Sequence, residues 1–191
     1  VKVLIVCAGA HGTDVAAWSD RPILGFLDDE KSGPNIFGPT TLLNLIDADW
    51  VAGHNSGTVR QLYAKVANRK ATKLLSSHAT IDSSVVAKDG VVVGPNSTVG
   101  PLTVLGSHTH INANVFVTRA SLGDFCTVSP GATICGDVMI GDHVSIGAGA
   151  TISNLVLIQS NVTVGAGCVI PPGQTLPAHS TWVGVPGRRI K

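Results

Sequence analysis

The sequence predicts two architectures in one chain: a small α/β domain, about half of a doubly wound Rossmann sheet, over residues 1–75, and a parallel β-helix over residues 76–191. Two observations predict the β-helix. An aliphatic residue recurs at almost every sixth position from Ile81 to Leu176, passing through Val93, Val99, Leu105, Ile111, Val117, Leu122, Val128, Ile134, Ile140, Ile146, Ile152, Ile158, Val164 and Ile170. The residue two places before each is small or β-branched, as at Val91, Ser97, Thr109, Ala132, Val144 and Cys168. A third observation places the seam near Ser76: most of the helical spacing, two of the three Trp and the only Tyr lie before it, and Gly-, Val- and Thr-rich sequence with few charges follows.

In the first domain, the apolar run over residues 1–8 reads as a buried parallel strand. Gly9-Ala10-His11-Gly12 then turns the chain into a helix over residues 13–18. Ile23–Leu27 is a second strand ending in Asp28-Asp29, residues 39–46 have helical character, and Asp49–Ala52 is a third strand. Val59, Leu62, Tyr63 and Val66 give residues 56–68 a helical stripe. Strands alternating with helices imply a parallel sheet with ligands at the strand C-terminal ends. The glycine turn and the paired acids would then flank one pocket. The fingerprint G-x-G-x-x-G is incomplete, because Cys7 holds its first place and only Gly9 and Gly12 fit, so NAD or FAD is not the expected ligand. Two readings stay open: a tight strand-to-helix turn with no ligand, or a nucleotide or sugar held at a helix N-terminus beside His11, where free amides favour anions.

In the second domain, side chains at i−2 and i share one face of a strand. Each hexad therefore buries one small and one larger aliphatic group, and Gly-Pro-Asn, Gly-Asp-His, Gly-Ala-Gly and Pro-Pro-Gly supply the corners between strands. Neither an amphipathic helix nor a β-sandwich sustains a six-residue period. Three hexads make one triangular coil, and coils stack at about 4.8 Å. Only the step from Val117 to Leu122 is short, at five residues.

Composition narrows the partners. A formal net charge of +1 with no run of Lys or Arg gives no reason to expect nucleic acid. No signal peptide or membrane span is visible, so the expected compartment is the cytoplasm. Cys126 and Cys168 occupy inward positions, Cys7 sits in an apolar strand and Cys135 faces outward, a pattern with neither a zinc site nor a disulfide framework.

A Gly-x-His-Gly turn, then Phe-Leu-Asp-Asp, then hexads ending in Trp182-Val-Gly-Val-Pro186-Gly-Arg-Arg-Ile, resembles the bacterial sugar acyltransferase family that includes sialic acid O-acetyltransferases and UDP-4-amino-sugar N-acetyltransferases. The likeness covers nearly the whole chain. It implies a left-handed β-helix, a homotrimer with active sites between neighbouring β-helices, and an N-terminal domain that holds a nucleotide sugar or free sugar. Acetyl-CoA would lie along the β-helix groove, against Thr127, the Gly147-Ala148 and Gly165-Ala166 corners and Pro186. The family's substrate residues map onto Gly9, His11, Gly12, Asp28, Asp29, Asn55 and Arg60, and its Ile-Asn-Thr-Gly stretch maps onto Ile111-Asn112-Ala113-Asn114.

One segment departs from the family. Where it carries an acid–His–acid stretch supplying the general base, this chain reads Val117-Thr118-Arg119-Ala120-Ser121, with the deletion falling there. Arginine cannot accept a proton near neutral pH. A second family histidine corresponds to Thr127. A coil of eighteen residues less the deleted one stacks His110 beside Thr127, so His110, with Asn112 two places on, is the expected substitute base, and His108 at a corner is a second candidate. The expected activity is acetyl transfer from acetyl-CoA to a sugar, foremost the amine of a nucleotide-linked amino sugar, because a neutral amine needs less help from a base. The alternatives are sugar O-acetylation, a homologue that binds nucleotide sugar without transfer, and a trimeric metal lyase of the carbonic-anhydrase kind, for which His108 and His110 lie too close in sequence.

Overall fold

A computed structural model describes residues 1–191. Strand β1 (Val3–Val6) lies between β2 (Ile23–Leu27) and β3 (Asp49–Ala52) in a parallel sheet of order β2-β1-β3. Every residue of β1 is buried, which is why the run is continuously apolar rather than alternating. Helix α1 (Ala10–Ala17) starts three residues earlier than the sequence suggested. Gly12 permits this, since a Cβ there would collide with the Cys7 carbonyl. The helical stretch expected over residues 39–46 is a 3-10 turn, Thr40–Asn44, and α2 (Gly57–Val66) follows β3.

From β4 (Leu74–Leu75) onward, strands of two or three residues fall into three parallel sheets, the triangular cross-section of a left-handed β-helix. The expected register holds: Ile111 pairs with Val128 and Val128 with Ile146, and Ile146, Ile152 and Ile158 are buried in one continuous core. Corner residues take the left-handed conformation, from φ 55° at His108 to 62° at Asn161. Arg119, in the shortened corner, has φ 44°. Because Leu74–Leu75 pairs with Val92–Val93, the β-helix begins one strand before residue 76.

The two parts share a core. Val92, at an outward position of the first coil, is buried among Val3, Ile5, Val15, Val51 and Leu74. The α/β domain therefore covers the outer face of the sheet containing Val92–Val93, His110–Ile111 and Thr127–Val128. No helix is long and apolar enough to cross a membrane.

Candidate functional site

Arg60 on α2 is fully buried where the helix meets the coils. Its Nε donates to the His108 carbonyl, one terminal nitrogen to the carbonyls of His54 and Asn55, and the other to the carbonyls of Phe125 and Cys126 and to Thr127 Oγ1, all at 2.7–3.0 Å. A guanidinium has five N–H donors, and these contacts occupy all of them. The substrate-binding role expected of Arg60 is therefore corrected: it clasps the α/β domain to the β-helix and has no donor left for a ligand. Burial lowers its pKa to about 10, still far above neutrality.

The same packing relocates the expected base. His110 does pair with Thr127 across the coils, but its ring is 0% exposed beneath the α/β domain and cannot touch a substrate. Its Nδ1 lies 3.0 Å from His11 Nε2, so His110 can act on a ligand only through His11. Asn112 is likewise buried, with Nδ2 donating to the Val128 carbonyl at 2.8 Å, and stiffens the coil instead of facing a groove. The ring of His108 stacks on Phe125 with centroids 5.3 Å apart and lies 5.7 Å from Trp50. It is nearly buried and borders a separate cavity with Arg69 and Asp89, away from His11. Burial first, and the Arg60 charge second, hold the histidines neutral: His11 and His108 fall to about 4, and His110 and His54 fall below their ordinary value.

At the C-terminal ends of the strands, Asp28 shapes the loop. Its carboxylate accepts the backbone N–H groups of Ala8, Glu30 and Lys31, and despite some desolvation these donors hold its pKa below the usual value. Asp29 accepts from the Thr40 N–H and hydroxyl. Most of the acceptor capacity expected to face a substrate is thus spent inside the loop, although both acids still border a cavity of about 180 Å³ with Cys7, Glu30, His54 and Tyr63. A neighbouring cavity of about 200 Å³ is lined by Gly9, Ala10, His11, His54 and Asn55. A third, about 420 Å³, runs from His54 and Asn55 past the start of α2 to Thr127, Ser129 and His143. His54 borders all three; the two smaller cavities are walled by the α/β domain alone, and the largest lies between that domain and the β-helix.

Of the residues expected along a cofactor groove, Thr127 is buried and its hydroxyl is taken by Asn55 and Arg60, so it forms wall and not a polar contact. Gly147 packs against Ala166 of the next coil and Gly165 against Val183, which leaves Ala148, Ala166 and Pro186 exposed on a ridge of small corner residues. Three lining residues had no site role expected from sequence: His143 reads there as a corner polar group, Tyr63 as part of a helical stripe, and His54 only as the middle of Gly53-His54-Asn55. For His54 the signal was available, since it follows Gly53 at the end of a third strand, the same place that draws attention to His11. Arg119 is about half exposed, with Nε 3.8 Å from Asp137 Oδ1, and borders none of these cavities.

Comparison with known proteins agrees with this fold. A family model described as bacterial transferase hexapeptide (six repeats) matches residues 119–154, and one described as hexapeptide repeat of succinyl-transferase matches residues 137–172. No curated protein sequence matches. Among solved structures, the acetyltransferase domain of PglB from Neisseria gonorrhoeae FA1090 is similar at 30% identity and TM-score 0.93, over 99% of this chain and 99% of that one. The same domain in complex with acetyl coenzyme A matches at 29% identity and TM-score 0.93, over 99% and 98%. PerB from Caulobacter crescentus, in complex with CoA and GDP-perosamine, shares the fold at 21% identity and TM-score 0.93, over 100% and 98%.

Proposed function

Since the chain belongs to the bacterial sugar acyltransferases of the hexapeptide-repeat type, we propose that it moves an acetyl group from acetyl-CoA to the amine of a nucleotide-linked amino sugar. The observation that carries this is the group of three cavities around His54, acidic at the strand ends, amide-rich at the start of α1, and reaching the coils of the β-helix at Thr127, Ser129 and His143. The nucleotide fits the end near Asp28, Asp29 and Tyr63, and the free amides at the start of α1 suit its phosphates. Acetyl-CoA fits the ridge of Ala148, Ala166 and Pro186, where small residues leave room for an extended chain. A homotrimer completes the site by bringing a neighbouring β-helix against the ridge. The exposed Met139 and Leu157, paired on adjacent strands, support such an assembly.

In the transfer, the neutral amine nitrogen bonds to the thioester carbonyl carbon, the carbon–sulfur bond breaks, and coenzyme A leaves as its thiol. The proton lost from nitrogen passes through water in the open cavity to the departing sulfur, because Arg119 stands where the family carries its base and His110 is out of reach. This favours an amine over a hydroxyl, since a neutral amine attacks without prior deprotonation.

The test is a screen of UDP- and GDP-linked sugars with acetyl-CoA, reading released thiol. Turnover is expected with 4-amino sugars and absent with their hydroxyl counterparts. Turnover with the hydroxyl sugars alone would favour O-acetylation. The Arg119 replacement supports a second reading, binding without transfer, and nucleotide-sugar affinity with no thiol released would favour that one.

A further inference from the structure

His11 and His110 share one hydrogen bond, and the proton in it can belong to either ring. If His11 donates from Nε2, neutral His110 must carry its own proton on Nε2. That atom is buried and has no partner. An orphaned buried N–H costs about 1–3 kcal/mol, and here it would also lie close to the Arg60 guanidinium, which holds the neighbouring Thr127 hydroxyl at 3.0 Å. If His110 donates from Nδ1, its Nε2 presents only a lone pair, which the same positive charge favours. The second arrangement wins, and it leaves the His11 proton on Nδ1. His11 Nδ1 has no hydrogen bond within the chain and is not among the buried unpartnered atoms, so it is open to solvent in the cavity shared with Gly9, Ala10, His54 and Asn55.

We infer that His11 meets the reactants as a neutral imidazole donating its Nδ1–H to an anionic oxygen, and that buried His110 is the positioning residue that fixes this tautomer. Two oxygens share the required chemistry: a phosphate oxygen of the nucleotide sugar, and the oxyanion formed from the thioester carbonyl. A neutral imidazole is a sufficient donor for either. With Nδ1 protonated and Nε2 engaged, His11 has no free lone pair, so it polarises and does not abstract. The low proton affinity of both rings agrees, because neither gains a second proton near neutrality.

The choice of reactants rests on the acetyltransferase reading, but the tautomer can be measured without it. Long-range proton–nitrogen correlation on imidazole-labelled protein at neutral pH is expected to show Nδ1 protonated and Nε2 bare in both rings, assigned by loss of signals in His11→Gln and His110→Gln. A His11 ring protonated on Nε2, or on both nitrogens, would overturn the inference. In turnover with acetyl-CoA and a UDP-linked 4-amino sugar, His11→Ala is expected to lose activity in one of two ways. A fall in kcat of roughly 10²–10³-fold identifies the thioester oxygen, and a rise in KM for the sugar at unchanged kcat identifies the phosphate. His110→Ala should give a smaller loss of the same kind, and His11→Gln, whose amide N–H can donate, should recover part of it. Unchanged kcat and KM in a folded His11→Ala variant, checked by thermal melting, would overturn the catalytic part. If the wild type releases no thiol, the acetyltransferase reading fails while the spectroscopic result still decides the tautomer.

Discussion

At the residue scale, one arginine carries the junction between the domains. Removing Arg60 leaves the carbonyls of His108 and Phe125 without a donor at a buried junction, whereas that of Cys126 keeps the His110 N–H. Arg60→Ala should therefore destabilise the fold by about 2–6 kcal/mol, at about 1–3 kcal/mol for each orphaned carbonyl, read as a lowered denaturation midpoint, and Arg60→Lys should not restore it, because an ammonium cannot span six acceptors. Asp29 gives the opposite expectation. Its hydrogen bonds to Thr40 are exposed, so Asp29→Ala should cost little stability yet weaken nucleotide-sugar binding, with acetyl-CoA affinity kept in calorimetry. Equal loss of both affinities would mean that the loop, and not the ligand, depends on the acid.

At the element scale, α2 is held as tightly by what it lacks as by what it carries. A Cβ on Gly57 would run into the Phe125 carbonyl, a backbone atom that cannot step aside. Gly57→Ala should push the helix off the coils, costing about 1–3 kcal/mol and opening the cavity beside His54, and proteolysis between residues 67 and 73 would report it. In the β-helix, Ile146→Asp should prevent folding by burying an unpaired charge among Val128 and Val164. A soluble, folded variant would refute the register. That register was legible from sequence because a six-residue period fixes inside and outside at once, and the pairing of His110 with Thr127 came from the same counting. Burial of His110 was not legible. The period says which way a side chain points from its own coil, but nothing about the second domain that covers one of the three outer faces. Arg60 was misread for the same reason, since an arginine on a helix near a ligand pocket and an arginine driven into a neighbouring coil leave the same trace in sequence. Asp28 and Asp29 were placed correctly in space, but their hydrogen bonds to loop amides depend on turn geometry that spacing does not encode.

For the whole molecule, four histidines around Arg60 carry proton affinities lowered by burial and by its charge. Below the ordinary histidine value the unfolded chain binds protons that the folded chain refuses, down to about 4 for His11 and His108, so stability is full above about 6.5 and is lost as pH falls below it. The slope is at most about 1.4 kcal/mol per pH unit for each histidine, and less for His11 and His54, which are partly exposed. The melting temperature should therefore fall from pH 7 to pH 5, and a rise would contradict the burial of His110. Assembly is tested by light scattering, with a mass three times that of the chain expected, and Met139→Arg with Leu157→Arg should return it to monomers. A final consequence follows from the last coil. Strand Thr181–Val183 turns back so that Arg188–Arg189 pairs with it antiparallel, the one such pairing among the coils. Stacked hexads have no intrinsic length, and each finished coil is a template for another, whether from the same chain or from a stranger. The reversed strand ends the ladder with two charged side chains and a polarity that a further parallel coil cannot copy on that edge. In that sense Arg188 and Arg189 act as punctuation on this one sheet: the edge they form is one that a further parallel strand, from whatever chain, cannot extend by the same pairing.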